Sequence, residues 1–502
     1  MLEKKEKVKL LAIFFCSTLL LGGLAGCSSA SSSSTKSSTK KSSLQKNNKE
    51  AEAEEDQQYQ PKLTRKNLTK KLKRVEKKYN SDSSNDKIAL QYAQTHFELG
   101  NFDDVKKIIE PFLKEEQPKP EALNLAAKIN YLKGNYEQAE KNYQSLLDNH
   151  YEEYGAEAEL GMQMVYYQTN QYSKANKLFE DKSEKEIDPF TEMLRSFDDV
   201  TPNKVDWNGK EETTIPFIRT DPYPFIPIEV NGVKMNAFID TGGIGLVVDK
   251  ERAKELGIES SSTDTGSFAG GKTADIEFGK ADSLKLGDVE IENVPTMMSS
   301  FEPWRNDEAF KDVKNVDAVI GTNVLKQFIP TIDFITGELK LVPKTEAGKN
   351  KVENELSNNE VNSELPFTLA GTHYTFTKGQ VNGYKNLNMF LDSGLGDYSE
   401  NAGVLLPKQT LDLLKIPVPS DLRKPKEIGL GGGDYQEGFY DLDSLSLGDL
   451  KNDCKGKYFT EDTIGPLTDG NGFVADALVG HAYLKNYKWT LDYDEMKMTF
   501  SK

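Results

Sequence analysis

Two hydrophobic periodicities divide the chain. From residue 86 to about 184 the apolar positions fall at helical spacing, and one turn signature returns three times. Leu99-Gly100-Asn101-Phe102 with Val105 is followed by Lys133-Gly134-Asn135-Tyr136 with Ala139, then by Thr169-Asn170-Gln171-Tyr172 with Ala175. The aromatic residues are spaced by 136 − 102 = 34 and 172 − 136 = 36 positions. Each unit predicts two helices: Gly or Asn makes the turn, the aromatic packs into the next unit, and a small residue lets helices approach. From residue 215 onward the pattern becomes short alternating runs broken by Gly and Asn-Gly, which predicts strands. Helical patches are expected within it at 250–256 and 409–414, and a basic helix is expected at 65–78.

The stretches between these patterns set provisional boundaries. Lys4, Lys5, Lys7 and Lys9 precede an apolar run over residues 10–24 and the small residues Ala25 and Gly26, the layout of an export signal over residues 1–26. The run is short for a membrane span. Residues 27–61 are Ser, Lys, Glu, Gln and Asn with few large apolar groups, too little to offset the entropy of folding, so a disordered tether is expected. A helical repeat domain is expected over 62–200, a polar linker over 201–214, and two β units over 215–343 and 365–502 joined by a Glu/Asn/Lys/Ser-rich connector over 344–364.

The two β units read as copies of one another. Phe238-Ile239-Asp240-Thr241-Gly242 returns as Phe390-Leu391-Asp392-Ser393-Gly394, and Val230-Asn231-Gly232 returns as Val381-Asn382-Gly383. Asp317-Ala318-Val319-Ile320-Gly321 matches Asp476-Ala477-Leu478-Val479-Gly480, and Thr331-Ile332-Asp333 matches Thr490-Leu491-Asp492. The offset holds near the end of each copy, 476 − 317 = 159 and 492 − 333 = 159, as a tandem duplication requires.

Three resemblances follow. Leu24-Ala25-Gly26-Cys27 resembles the bacterial lipobox, which implies cleavage before Cys27, a lipid on its sulfur, and a membrane-anchored protein on the extracytoplasmic face. The 34-residue period resembles the tetratricopeptide repeat, without its first-helix Trp, and implies a concave face for a protein partner or a rigid spacer. The duplicated Asp-Thr/Ser-Gly units resemble bacterial retropepsin-like aspartic proteases fused into one pepsin-like chain. That implies an all-α repeat followed by an all-β bilobal acid protease domain. Asp240 and Asp392 would be the catalytic pair, with Thr241, Gly242, Ser393 and Gly394 supporting the loops that carry them. Gly-rich flaps would be formed by Phe268, Ala269, Gly270 and Gly271 and by Leu430, Gly431, Gly432 and Gly433.

The chemistry fits those residue types. Two adjacent carboxyls share one proton, so one can draw a proton from water while the other bonds the scissile carbonyl oxygen. Neither a metal nor a cofactor is needed for this, and the substrate would be a protein or peptide. Both acids lie in one chain, so no homodimer is required. The alternative is an inactive protease fold serving as a surface adaptor for extended peptides, with the repeats recruiting a partner.

Charge and the remaining residues narrow the field. A formal charge of −17 argues against nucleic-acid binding. His96, His150, His373 and His481 are dispersed without zinc spacing. The P-loop letters from Gly266 to Thr273 lead into an alternating run rather than a helix, so a nucleotide cradle is not expected. With Cys16 in the signal and Cys27 lipidated, Cys454 remains alone, and no disulfide framework is expected.

Overall fold

A computed structural model describes residues 63–183, 187–268, 273–305, 310–311, 313, 316–358, 361–396, 400–425 and 435–502. Cys27, Ala269, Gly270, Gly271, Leu430, Gly431, Gly432 and Gly433 lie outside the described residues. No helix among the described residues is long and apolar enough to cross a membrane.

Among the described residues eight helices come first: α1 (Arg65–Ser81), α2 (Asp86–Glu98), α3 (Phe102–Leu113), α4 (Pro120–Leu132), α5 (Tyr136–Asn149), α6 (Tyr151–Gln168), α7 (Tyr172–Lys177) and α8 (Pro189–Arg195). Neighbours in the chain pack pairwise. The turns after α2, α4 and α6 are built alike. Gly100, Gly134 and Asn170 take left-handed φ values of 73°, 72° and 55°. The next amide then reaches back five positions, Asn101 N to His96 O, Asn135 N to Asn130 O and Gln171 N to Tyr166 O, at 2.8–2.9 Å. The following aromatic packs on the ring five residues earlier: Phe102 on Phe97, Tyr136 on Tyr131 and Tyr172 on Tyr167, with centroids 5.5–5.8 Å apart. Val105, Ala139 and Ala175 are wholly buried, where a larger residue would hold the helices apart.

The β region forms two large sheets and one shared sheet. In the first lobe the strand Val233–Asp240 lies between antiparallel Phe225–Val230 and parallel Ala318–Gly321. In the second, Tyr384–Leu391 lies between Tyr374–Val381 and parallel Ala477–Val479. Central strands with both faces covered are nearly continuous apolar runs, which is why Ala237-Phe238-Ile239 does not alternate. The shared sheet joins the lobes through Ile329–Asp333 and Lys488–Asp492, where Thr331 sits opposite Thr490 with their hydroxyls 2.7 Å apart. Those two residues differ by 159 positions, the offset of the duplication, so the sheet contact lies on the pseudo-twofold axis.

Two stretches expected to be connections carry structure. Within 201–214, Lys204–Asp206 pairs with Val289–Ser299 at the edge of the first-lobe sheet, and Thr213–Pro216 begins the shared sheet. Within 344–364 lie the helix Glu346–Asn358 and the start of Val361–Pro366, which pairs with Lys497–Ser501. Three-residue strands and a helix burying little beyond Gly348 and Val352 leave no periodic trace in the sequence. The helical patches at Lys250–Glu255 and Lys408–Leu414 form where the pattern placed them. The strand Thr273–Leu286 follows the P-loop-like letters.

The helical module is tied to both lobes. Arg65 bonds Asp476 of the second lobe through two short contacts, 2.7 and 2.6 Å, with both side chains buried. Tyr167 Oη accepts from Asn323 Nδ2 of the first lobe at 2.9 Å. Gln168 stands at the junction: its Nε2 donates to Thr372 O of the second lobe at 2.8 Å, and its Oε1 accepts from buried Lys326 of the first. Burial lowers the Lys326 ammonium to about 7.

Candidate active site

Asp240 ends its central strand, Asp392 directly follows its own, and each is held by the turn that comes next. Gly242 N donates to Asp240 Oδ1, and Gly394 N donates to Asp392 Oδ1, both at 2.8 Å. The two turns then grip each other reciprocally. Thr241 N donates to Ser393 Oγ and Ser393 N to Thr241 Oγ1, both at 3.0 Å. The hydroxyls donate onward across the interface, Thr241 Oγ1 to Leu391 O at 3.2 Å and Ser393 Oγ to Ile239 O at 3.0 Å. Thr241 and Ser393 are almost wholly buried, so all four bonds lie out of reach of water.

The glycines are required by close approach. A Cβ on Gly242 would lie 2.5 Å from the Asp392 carboxyl, and one on Gly394 would lie 2.4 Å from Asp240. Each glycine therefore faces the other lobe's acid. The apolar-apolar-Gly signature has the same cause. A Cβ on Gly321 would meet Gly243 O at 2.4 Å, and one on Gly480 would meet Leu395 O at 2.6 Å. Behind the first acid, Thr322 Oγ1 donates to Thr241 O at 2.8 Å and Thr322 N to Gly243 O at 3.0 Å. Behind the second, His481 N donates to Leu395 O at 2.9 Å.

Electrostatics separate the pair. Burial raises the Asp240 carboxyl above the usual range, opposed by bonds from Asp392 and from the amides of Gly242, Gly243 and Gly394. Burial also raises Asp392, and there the Asp240 charge adds to it, so Asp392 is held well above the usual range. Two carboxyls in contact cannot both ionise cheaply, so the pair holds one proton between them.

A third residue bridges the lobes at this point. His373 Nε2 is 2.9 Å from Gly242 O, and its Nδ1 is 2.7 Å from Thr372 Oγ1. A carbonyl only accepts, so Nε2 carries the hydrogen and Nδ1 accepts from the threonine hydroxyl. Burial lowers the imidazole to about 3, so it is neutral across the ordinary pH range. Thr372 is also the residue whose carbonyl Gln168 holds. A continuous path therefore runs from α6 through Thr372 and His373 to the turn after Asp240. Nothing in the spacing of the histidines points to this; the strand register gives the one available signal. Phe225 pairs with Phe238 and Phe376 with Phe390, so His373 occupies the position held by Pro222 in the first lobe.

The acids open into a cavity of about 240 Å³ between the lobes. Its first-lobe wall includes Val247, Phe268, Met297, Trp304 and Phe310; its second-lobe wall includes Leu405, Tyr435, Glu437, Lys457 and Phe459. Phe268, expected in the first flap, thus lines the cavity, and Tyr435 lines it from the other side. Among the described residues no cluster of His, Cys, Asp and Glu could hold a metal ion. Cys454 is buried on its own, its thiol raised to about 11 by burial.

Comparison with known proteins adds the following. A family model described as aspartyl protease matches residues 226–324, from the strand beside Asp240 to the segment behind it. Among solved structures the chain is similar to a retropepsin-like aspartic protease from Rickettsia conorii, at 19% identity over 28% of this chain and 92% of that one, TM-score 0.19. It is also similar to conglutin gamma, a basic 7S globulin from lupine seeds, at 11% identity over 58% and 95% of the two chains, TM-score 0.35. Basic 7S globulin from soybean gives 10% identity over 58% and 94%, TM-score 0.34. No curated protein matches the sequence. The family match supports an aspartic protease fold and a protease-type function.

Proposed function

We propose that this protein is an aspartic endopeptidase in which Asp240 and Asp392 activate water against a peptide bond. The observation that carries the reading is the reciprocal grip: two half-buried acids, each with its glycine against the other's carboxyl, locked by Thr241 and Ser393. Ionised Asp240 takes a proton from water as the water oxygen bonds the carbonyl carbon. Asp392 gives its proton to the carbonyl oxygen, producing a neutral diol. Asp240 then passes its proton to the departing nitrogen as the C–N bond breaks, and Asp392 recovers one from the diol. One shared proton remains, as at the start. The apolar side chains of the first-lobe wall limit water around the acids and strengthen these interactions.

The rest of the chain gives this activity an address. The Leu24-Ala25-Gly26-Cys27 sequence supports anchoring by a lipid on Cys27 at the extracytoplasmic membrane face. The period and the repeated Gly-Asn turn support tetratricopeptide-like hairpins, which would present the protease or recruit a protein partner. Incubation of an unfolded protein with wild-type chain, Asp240→Asn and Asp392→Asn tests the central step. Cleavage by the wild type alone, with all three melting cooperatively, is expected; cleavage at the wild-type rate by either variant overturns it. Release of a Cys27→Ser variant from membranes tests the anchor.

A further inference from the structure

The strand ladders place the two cavity walls in exact correspondence and expose one difference between them. In the first lobe Val247 pairs in parallel with Met297, which pairs antiparallel with Phe278. In the second, Leu405 pairs in parallel with Lys457, which pairs antiparallel with Phe439. Met297 and Lys457 therefore hold equivalent positions. Two residues before each phenylalanine stand Ile276 and Glu437, which are equivalent in the same way. The first lobe has an apolar pair at these positions and the second an ion pair.

That pair is deeply buried and loosely satisfied. The Lys457 and Glu437 side chains are only 3% and 1% exposed, and they stand 3.4 Å apart. Lys457 Nζ donates one hydrogen bond besides, a long 3.4 Å one to Gly396 O. Glu437 Oε1 meets Arg423 Nε at 3.3 Å, while Oε2 accepts no hydrogen bond. Gly396 and both charged residues line the cavity. A buried ion pair is costly when its remaining donors and acceptors are unfilled, and a wall built only to contact apolar side chains has no use for one.

We infer that the second-lobe wall is a polar subsite that selects a substrate side chain with an apolar stem and an amide tip, glutamine being the best fit. The inference rests on the endopeptidase reading. The amide oxygen accepts from the Lys457 ammonium and the amide N–H donates to the Glu437 carboxylate, so both charges gain a partner. A substrate carboxylate is repelled by Glu437, and a substrate cation by Lys457. Leucine leaves both unfilled. Phe459, which lines the cavity with its ring 5.7 Å from the Lys457 ammonium, flanks the stem's approach.

The test uses the full-length chain and two peptide sets that differ only at the residues flanking one central bond, carrying Gln, Leu, Glu or Lys there. One set has an ordinary peptide bond and reports kcat/KM; the other has a reduced CH2–NH bond and reports binding by fluorescence anisotropy. The wild type is expected to prefer Gln over Leu by about tenfold or more at one flank only, the scale of a hydrogen bond to a charged group. The double variant Lys457→Met/Glu437→Ile, which copies the first lobe, is expected to lose that preference and favour Leu. The ratio is read within one preparation, so it does not depend on the folded fraction, and the wild-type profile stands without the variant. Gln-selective binding of the uncleavable set without cleavage of the other supports the subsite and sinks the hydrolysis reading. Cleavage with Leu preferred at every position, or no selective binding by the wild type, overturns the subsite.

Discussion

Asp317 in the first lobe accepts the amide of Asn236 and is met by Arg252 of the same lobe at 3.3 Å. Asp476 in the second lobe accepts the amide of Asn388, yet its cation is Arg65, brought in by the helical module. The duplication kept the acid and its backbone bond, and the charge was balanced from different places. The first lobe neutralises its acid internally; the second depends on α1. The cavity walls diverge in the same way, with Met297 against Lys457, and beside them buried Ile276 against Glu437. A repeated sequence preserves what the shared geometry requires, and the copies part where a neighbour or a ligand differs.

The largest expected effect breaks the one feature the lobes must share. Asp240→Asn and Asp392→Asn should each lower the cleavage rate by about 10²–10⁴-fold, because neither lobe can supply both proton-transfer roles. Single-turnover kinetics on a peptide substrate reads this directly. An effect confined to one of the two would mean that the lobes are not chemical partners.

Stability separates the lobes next. Arg65→Ala leaves Asp476 buried without its cation, at a cost of about 3–5 kcal/mol. Arg252→Ala removes a cation that is 28% exposed, and solvent screening holds the cost to about 1 kcal/mol. Denaturant unfolding followed by tryptophan fluorescence measures both. Equal losses would remove the distinction between an internal and an imported counter-ion.

His373 sharpens the comparison through pH. Its folded value of about 3 lies below the ordinary 6.5, so below pH 6.5 the unfolded chain binds the proton more readily. Its contribution to stability is complete above pH 6.5 and is lost as pH falls from 6.5 towards 3, by roughly 4–5 kcal/mol in all. His373→Phe should flatten that slope and lower kcat, since the Gly242 carbonyl loses its donor. An unchanged slope would mean that burial does not hold the ring neutral. The smallest effect lies on the pseudo-twofold axis. Thr331→Val and Thr490→Val should each cost about 1 kcal/mol, and the double variant less than their sum, because they break one shared bond.

Helices first and strands after could be read from periodicity, because an aromatic after a Gly-Asn turn and an alternating run are local signals. The pairing of Asp240 with Asp392 was legible because the duplication prints it twice. Gln168, Thr372, His373 and Arg65 were not legible: their partners lie far away in sequence, and no periodicity marks a single polar contact across a domain junction. Lys204–Asp206 was hidden for a different reason, being an edge strand too short to alternate. Lys457 sat in plain view in a strand, but its meaning required the register that sets it opposite Met297.

The shared proton is the centre of this account, and the pH dependence of kcat/KM on one peptide substrate tests it most directly. Burial raises both carboxyls, and the Asp240 charge adds to it at Asp392, which is held well above the usual carboxylate range. Hydrolysis is therefore expected to be fastest where one acid is ionised and the other protonated, and to fall as pH rises past the raised Asp392 value. A rate that stays level from acid to alkaline pH would contradict a dyad that works by holding one proton between two acids.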